Sequence, residues 1–78
     1  MRQKKEQLII TFSTTSQAMC MEKYCLDKGI KGRLIPLPAE ISAGCGLAWK
    51  TEPEAQQELK QELLQAGIGW ETMEIRNL

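Results

Sequence analysis

Gly29 and Gly67 each close a stretch of residues at helical spacing, and a β-type run lies on either side of both stretches. A chain punctuated this way must set two short helices against a small sheet, because glycine readily takes the left-handed conformation that ends a helix. The first strand reads as Leu8-Ile9-Ile10-Thr11-Phe12, a β-branched and aromatic run ended by hydroxyl residues. Ser13-Thr14-Thr15-Ser16 offers several N-caps for a helix expected from about Gln17 to Lys28, with Ala18, Met21, Glu22 and Cys25 on one face. A second strand, Arg33-Leu34-Ile35, stops at Pro36-Leu37-Pro38, since proline cannot donate to a central ladder. Residues 39–46 form an irregular loop, and Leu47-Ala48-Trp49-Lys50 is a third strand. Thr51-Glu52-Pro53 opens the second helix, whose apolar face is Ala55, Leu59, Leu63 and Ala66. Trp70-Glu71-Thr72-Met73-Glu74-Ile75 alternates as the last strand, with Met73 and Ile75 inward.

The order β-α-β-β-α-β in 78 residues predicts an α+β, ferredoxin-like sandwich with both helices on one face of an antiparallel four-stranded sheet. The length supports one modest core, so residues 1–78 are read as a single domain with 1–7 as a flexible N-terminal segment. Ten basic residues balance ten acidic ones, which leaves no field to steer nucleic acid or an anionic membrane. The charged start runs into Leu8-Ile9-Ile10, far shorter than a signal-peptide or membrane-spanning run, and a cytoplasmic location is expected.

Cys20, Cys25 and Cys45 include no C-x-x-C pair, and the chain has no histidine. Metal chemistry and imidazole-assisted hydrolysis are therefore excluded as readings, no cofactor is called for, and reduced thiols are expected. Cys20 and Cys25 fall inside the helical pattern and are read as packing residues. Cys45 is different, because Gly44 and Gly46 flank it and leave its sulfur sterically open. If the first two strands run parallel through a right-handed crossover, the Cys45 loop and the start of the first helix lie at the same end of the sheet. Unpaired N–H groups and the positive dipole end at Ser13, Thr14 and Thr15 would then stabilise a thiolate, with Arg33 and Lys50 as further sources of positive charge. The candidate site is thus Cys45 as the reacting group, with Ser13, Thr14, Thr15, Gly44, Gly46 and Arg33 as binding residues. A plainer reading also stands, in which Cys45 is a small residue in a tight loop and the hydroxyl cluster only caps a helix.

The run from Gly32 through Arg33-Leu34-Ile35-Pro36-Leu37-Pro38-Ala39-Glu40-Ile41-Ser42-Ala43-Gly44-Cys45-Gly46-Leu47-Ala48 to Trp49 resembles the DUF3343 family of small bacterial Se/S carrier-like proteins. Phe12-Ser13-Thr14-Thr15, Ala18 and Met21-Glu22-Lys23 extend the resemblance over Leu8 to Trp49. It implies a cytoplasmic domain, alone or fused to a TusA-like sulfurtransferase domain, with a carrier cysteine at Cys45. The implied partners are sulfur or selenium donor and acceptor proteins, such as a cysteine desulfurase or a TusA-like sulfurtransferase. The family pattern has an arginine where this chain has Ala39, so any anion contact made by that arginine is missing here. The competing reading is a small-molecule-binding, regulatory or interaction module without transfer chemistry, acting as a homodimer paired edge to edge.

Overall fold

The structure is a computed structural model that describes residues 5–39, 41 and 44–77. Residues 1–4 of the expected flexible segment, together with Glu40, Ser42 and Ala43 of the loop, lie outside the described residues. Strand β1 (Glu6–Thr11) leads to helix α1 (Thr15–Lys28), then to β2 (Arg33–Pro36), β3 (Leu47–Thr51), helix α2 (Gln56–Ala66) and β4 (Thr72–Asn77). The sheet order is β2-β3-β1-β4 and every neighbouring pair is antiparallel. This is the expected ferredoxin-like arrangement, in which β1 and β2 run in the same direction on either side of β3. Gln7 belongs to β1 and pairs with Arg76, so the part of the N-terminal segment at residues 6–7 is sheet.

Helix α1 starts two residues before the expected Gln17 because its cap is Thr14, whose Oγ1 accepts the Gln17 N–H at 3.2 Å. Gln17 returns the favour by accepting the Ser13 N–H on its Oε1 at 2.9 Å, a variant of the reciprocal capping box. Both helices end alike. Gly29 (φ 68°) and Gly67 (φ 74°) take the left-handed conformation. The following isoleucines, Ile30 and Ile68, then donate back to Cys25 and Leu63 carbonyls at 2.9 and 3.0 Å while packing on the core. At the other end of α2, residues Pro53–Ala55 form a 3₁₀ turn, and the α-helix proper begins only at Gln56.

The core lies between the sheet and the helices. Leu8, Ile10 and Phe12 from the first strand and its end, with Trp49 of β3, meet Ala18, Met21 and Cys25 of α1 and Leu59 and Leu63 of α2. Each fully buried large apolar side chain contributes about 1.5–3 kcal/mol. Ala66, expected on this face, is exposed, because it faces the shallow groove toward Tyr24 of α1 rather than the sheet. On the opposite sheet face, Ile9 and Ala48 are covered by Ile41 and packed against by Ile35 and Leu37. Leu37 and Ile41, which follow β2, therefore cover the helix-free side of the sheet. This explains why β1 is an unbroken apolar run, with both of its faces covered.

Strand β4 begins later than the alternation predicts. The ladder ends at the Thr11–Thr72 pair, where Glu71 N–H donates to the Thr11 carbonyl at 2.7 Å and Thr72 N–H to the Thr11 hydroxyl at 3.1 Å. Trp70 precedes the strand and so is free of its alternation, and it packs toward the helices together with Met73. Met73 is half-buried as expected, whereas Ile75 faces the same side but stands 43% exposed at the sheet edge.

Candidate functional site: the Cys45 loop

The loop between β2 and β3 is closed by the Leu37 N–H, which donates to the Gly46 carbonyl at 2.9 Å. It is tied to the end of β1 by the Cys45 N–H, which donates to the Phe12 carbonyl at 3.3 Å. Gly44 is pressed against Ser13: a Cβ at this position would sit 2.9 Å from the Ser13 carbonyl oxygen, a backbone atom that cannot swing away. Gly46 has φ 77°, a conformation other residues rarely hold. The two glycines that bracket the cysteine thus have separate jobs, close approach for one and turn geometry for the other.

The structure brings Cys45, Gly44, Gly46, Ser13, Thr14 and Thr15 to one end of the sheet. Arg33 is not among them. It pairs with Lys50 at the start of β2, three residues from Pro36, which is about 10 Å along an extended strand from the loop. Two like charges face each other there, and among the described residues the ion pair within 4.0 Å is Arg76 with Glu74, involving neither.

The Cys45 side chain is half-buried against the core, and its thiol donates to the Leu47 carbonyl at 3.7 Å. This contact belongs to the protonated form. At the helix start, Gln17 and Ala18 N–H groups are held by Thr14 Oγ1 and the Thr14 carbonyl. Those of Thr15 and Ser16 have no partner among the described residues, as is usual in the first turn of a helix. Ser13 Oγ donates to Glu71 Oε1 at 3.2 Å. Glu71 and Gln17 are members of this end of the molecule that the sequence did not single out. Glu71 is held there by the hydrogen bond from its N–H to the Thr11 carbonyl just before β4, and no spacing in the chain announces that contact.

The other thiols have different surroundings. Cys20 is exposed on α1, beside a shallow groove lined by Tyr24, Ala66 and Ile68. Cys25 is buried with its sulfur 4.0 Å from that of Met21, and burial, followed by the Glu62 carboxylate, pushes its thiol from 9.0 up to about 11. Below pH 9 the thiol is protonated both folded and unfolded, and its contribution to stability is complete. Between pH 9 and 11 the unfolded chain ionises first, so stability falls by something on the order of 2 kcal/mol. Tyr24, raised by donating to Glu62, acts with the same sign. Chemical denaturation across this range is expected to show a shallower decline for Cys25→Ala than for the parent; equal slopes would remove Cys25 from the account.

No group of three or more histidine, cysteine or acidic side chains suited to a metal ion occurs among the described residues. No described helix is long and apolar enough to cross a membrane. A family described as "Putative Se/S carrier protein-like" matches residues 7–74, nearly the whole chain. The chain belongs to this family. No curated protein and no solved structure matches it. The match takes in β1 from Gln7 onward, the capped start of α1, the glycine-flanked loop and the first half of β4, so all residues that build the Cys45 end of the sheet lie within it.

Proposed function

We propose that the protein carries sulfur or selenium covalently on Cys45. The observation that carries this reading is the setting of the sulfur in a Se/S carrier-like chain: a half-buried thiol on a loop bracketed by Gly44 and Gly46 and seated on the β1–α1 junction. A carrier thiol must meet a donor and then an acceptor, and a loop can present its sulfur to both more readily than a helix face can. Cys25 lacks that access, and Cys20 lies on the rigid surface of α1.

Loading begins when Cys45 gives up its proton to water and with it the contact to the Leu47 carbonyl. A sulfur anion next to a carbonyl oxygen is repelled, so the anion swings away from Leu47, toward the exposed side of the loop and the donors at the α1 start. The thiolate attacks the outer sulfur of a donor persulfide. The Cys45 S–S bond forms as the donor S–S bond breaks, and the donor leaves as a thiolate, with no net oxidation. Discharge repeats the exchange, an acceptor thiolate taking the outer atom and Cys45 leaving as thiolate, to be reprotonated. A perselenide follows the same sequence. A cysteine desulfurase as donor and a TusA-like sulfurtransferase as acceptor, in the reducing cytoplasm, complete the reading.

Incubation with a small-molecule persulfide followed by intact mass measurement tests it. The parent and the Cys20→Ser and Cys25→Ala variants are expected to gain one sulfur atom, and Cys45→Ser to gain none. Equal labelling of Cys45→Ser and the parent would leave the carrier role without its residue.

A further inference from the structure

We propose that the β4 edge is a homodimer interface, in which two copies pair antiparallel about a two-fold axis through Ile75 to make one continuous eight-stranded sheet. Among the described residues the sheet ends in β2 on one side and β4 on the other, and the two edges differ. The β2 edge is four residues long and ends in Pro36, which removes a donor. Its shortness and that proline blunt it against pairing. The β4 edge is six residues long, Thr72-Met73-Glu74-Ile75-Arg76-Asn77, with no proline, glycine or lysine in it. An edge of this kind offers an unpaired row of N–H and C=O groups to another strand.

The side chains of β4 select the partner and the register. Ile75 and Met73 face the helix side, and Ile75 is 43% exposed. Glu74 and Arg76 face the other side, where they lie across β1 from Ile9 and Gln7. Centring a two-fold axis on Ile75 sets Ile75 against its own copy and covers it. The same operation sets Glu74 opposite Arg76 of the partner subunit, twice. The ion pair that Glu74 now makes with Arg76 in its own strand at 2.9 Å is exposed at both ends, so exchanging it for two cross-strand pairs costs little. A single strand carrying Glu, Ile and Arg in this order is self-complementary only in the antiparallel sense.

The flank of α2 above this edge is suited to the same contact. Glu62 faces α1, where it accepts from Tyr24, and Leu59 and Leu63 face the sheet. Leu64, 64% exposed, follows Leu63 on the side turned away from α1 and shares a shallow surface with Gly67, Gly69 and Trp70, next to the start of β4. Leu64 thus lies toward Trp70 and the chain that leads into β4, the strand that carries Ile75. The Cys45 loop, joining β2 to β3, is on the other side of β1, so pairing through β4 leaves both thiols accessible.

Charge reversal tests the register without touching the core. The parent is expected to sediment as a dimer over a wide range of concentration. Glu74→Arg places arginine against arginine and Arg76→Glu places glutamate against glutamate; each is expected to raise the dimer dissociation constant on the order of a hundredfold. Mixing the two variants in equal amounts pairs Arg with Glu at every position and is expected to restore the dimer. Circular dichroism of each variant checks that it is folded. A monomeric parent, a dimer indifferent to either reversal, or a mixture that stays monomeric would each overturn the proposal, whatever the outcome of the persulfide experiment.

Discussion

Phe12→Ala is expected to remove a large share of the stability of this chain at 25 °C. Phe12 is fully buried, and its ring lies in the cluster formed by Leu8, Ile10, Met21, Leu59 and Leu63. Removing a buried phenylalanine ring costs about 3–5 kcal/mol, from lost transfer energy and the cavity left behind. At the usual ~0.05–0.15 kcal/mol per residue, a domain of this length holds only about 4–12 kcal/mol in total. The backbone at this position matters as well, since the Phe12 carbonyl holds the Cys45 N–H. Loosening the ring therefore releases the loop before the rest of the sheet. Urea denaturation monitored by tryptophan fluorescence measures the first effect, and the alkylation rate of Cys45 below the unfolding midpoint measures the second. A loss under about 1 kcal/mol would mean that the core closes over the gap and that the burial seen here does not carry the stability assigned to it.

Gly32→Ala is the second large effect. Gly32 has φ 132°, a region in which side chains are strained, and a Cβ there would sit 2.5 Å from Trp49 Nε1, 2.7 Å from Trp49 Cε2 and 2.8 Å from the Lys50 carbonyl oxygen. Backbone strain of about 1–3 kcal/mol adds to an overpacking cost of about the same size, so a loss near 3 kcal/mol is expected. The indole cannot give way easily, because Trp49 is buried and anchors the centre of the sheet. Among the described residues its buried Nε1 has no hydrogen-bond partner. Gly29→Ala is the control. Its φ is also positive, but a Cβ there meets nothing within 4 Å, so only the left-handed penalty of about 1–2 kcal/mol applies. Equal losses for the two variants would show that the contact with Trp49 is not what requires glycine at position 32.

These two residues mark the two ways in which the fold could be read. Phe12 belongs to a β-branched and aromatic run, and its burial follows from pattern alone. Gly32 gives no such signal: nothing in the order Lys31-Gly32-Arg33 says that a tryptophan seventeen positions later will press against it. Cys25 was legible as a packing residue from its helical face. Arg33 was placed at the thiol only by assuming that positive charge on flanking strands is near the loop. Strand geometry puts it at the far end instead, opposite Lys50.

Local chemistry in the chain determined the elements: hydroxyls where α1 starts, glycine followed by isoleucine where each helix stops, proline where β2 ends, and glycine on both sides of Cys45. Those choices act over a few residues, through backbone dihedrals and the hydrogen bonds of helix ends, and they suffice for the β-α-β-β-α-β order. What meets across the sheet was decided only in three dimensions. The contact of Ile41 with Ile9, the packing of Trp70 inward and the meeting of Glu71 with Ser13 at the start of β4, and the pressing of Gly44 onto Ser13 all join residues far apart in sequence. Such contacts depend on strand register and on packing volume, and neither is written in any short stretch of the chain.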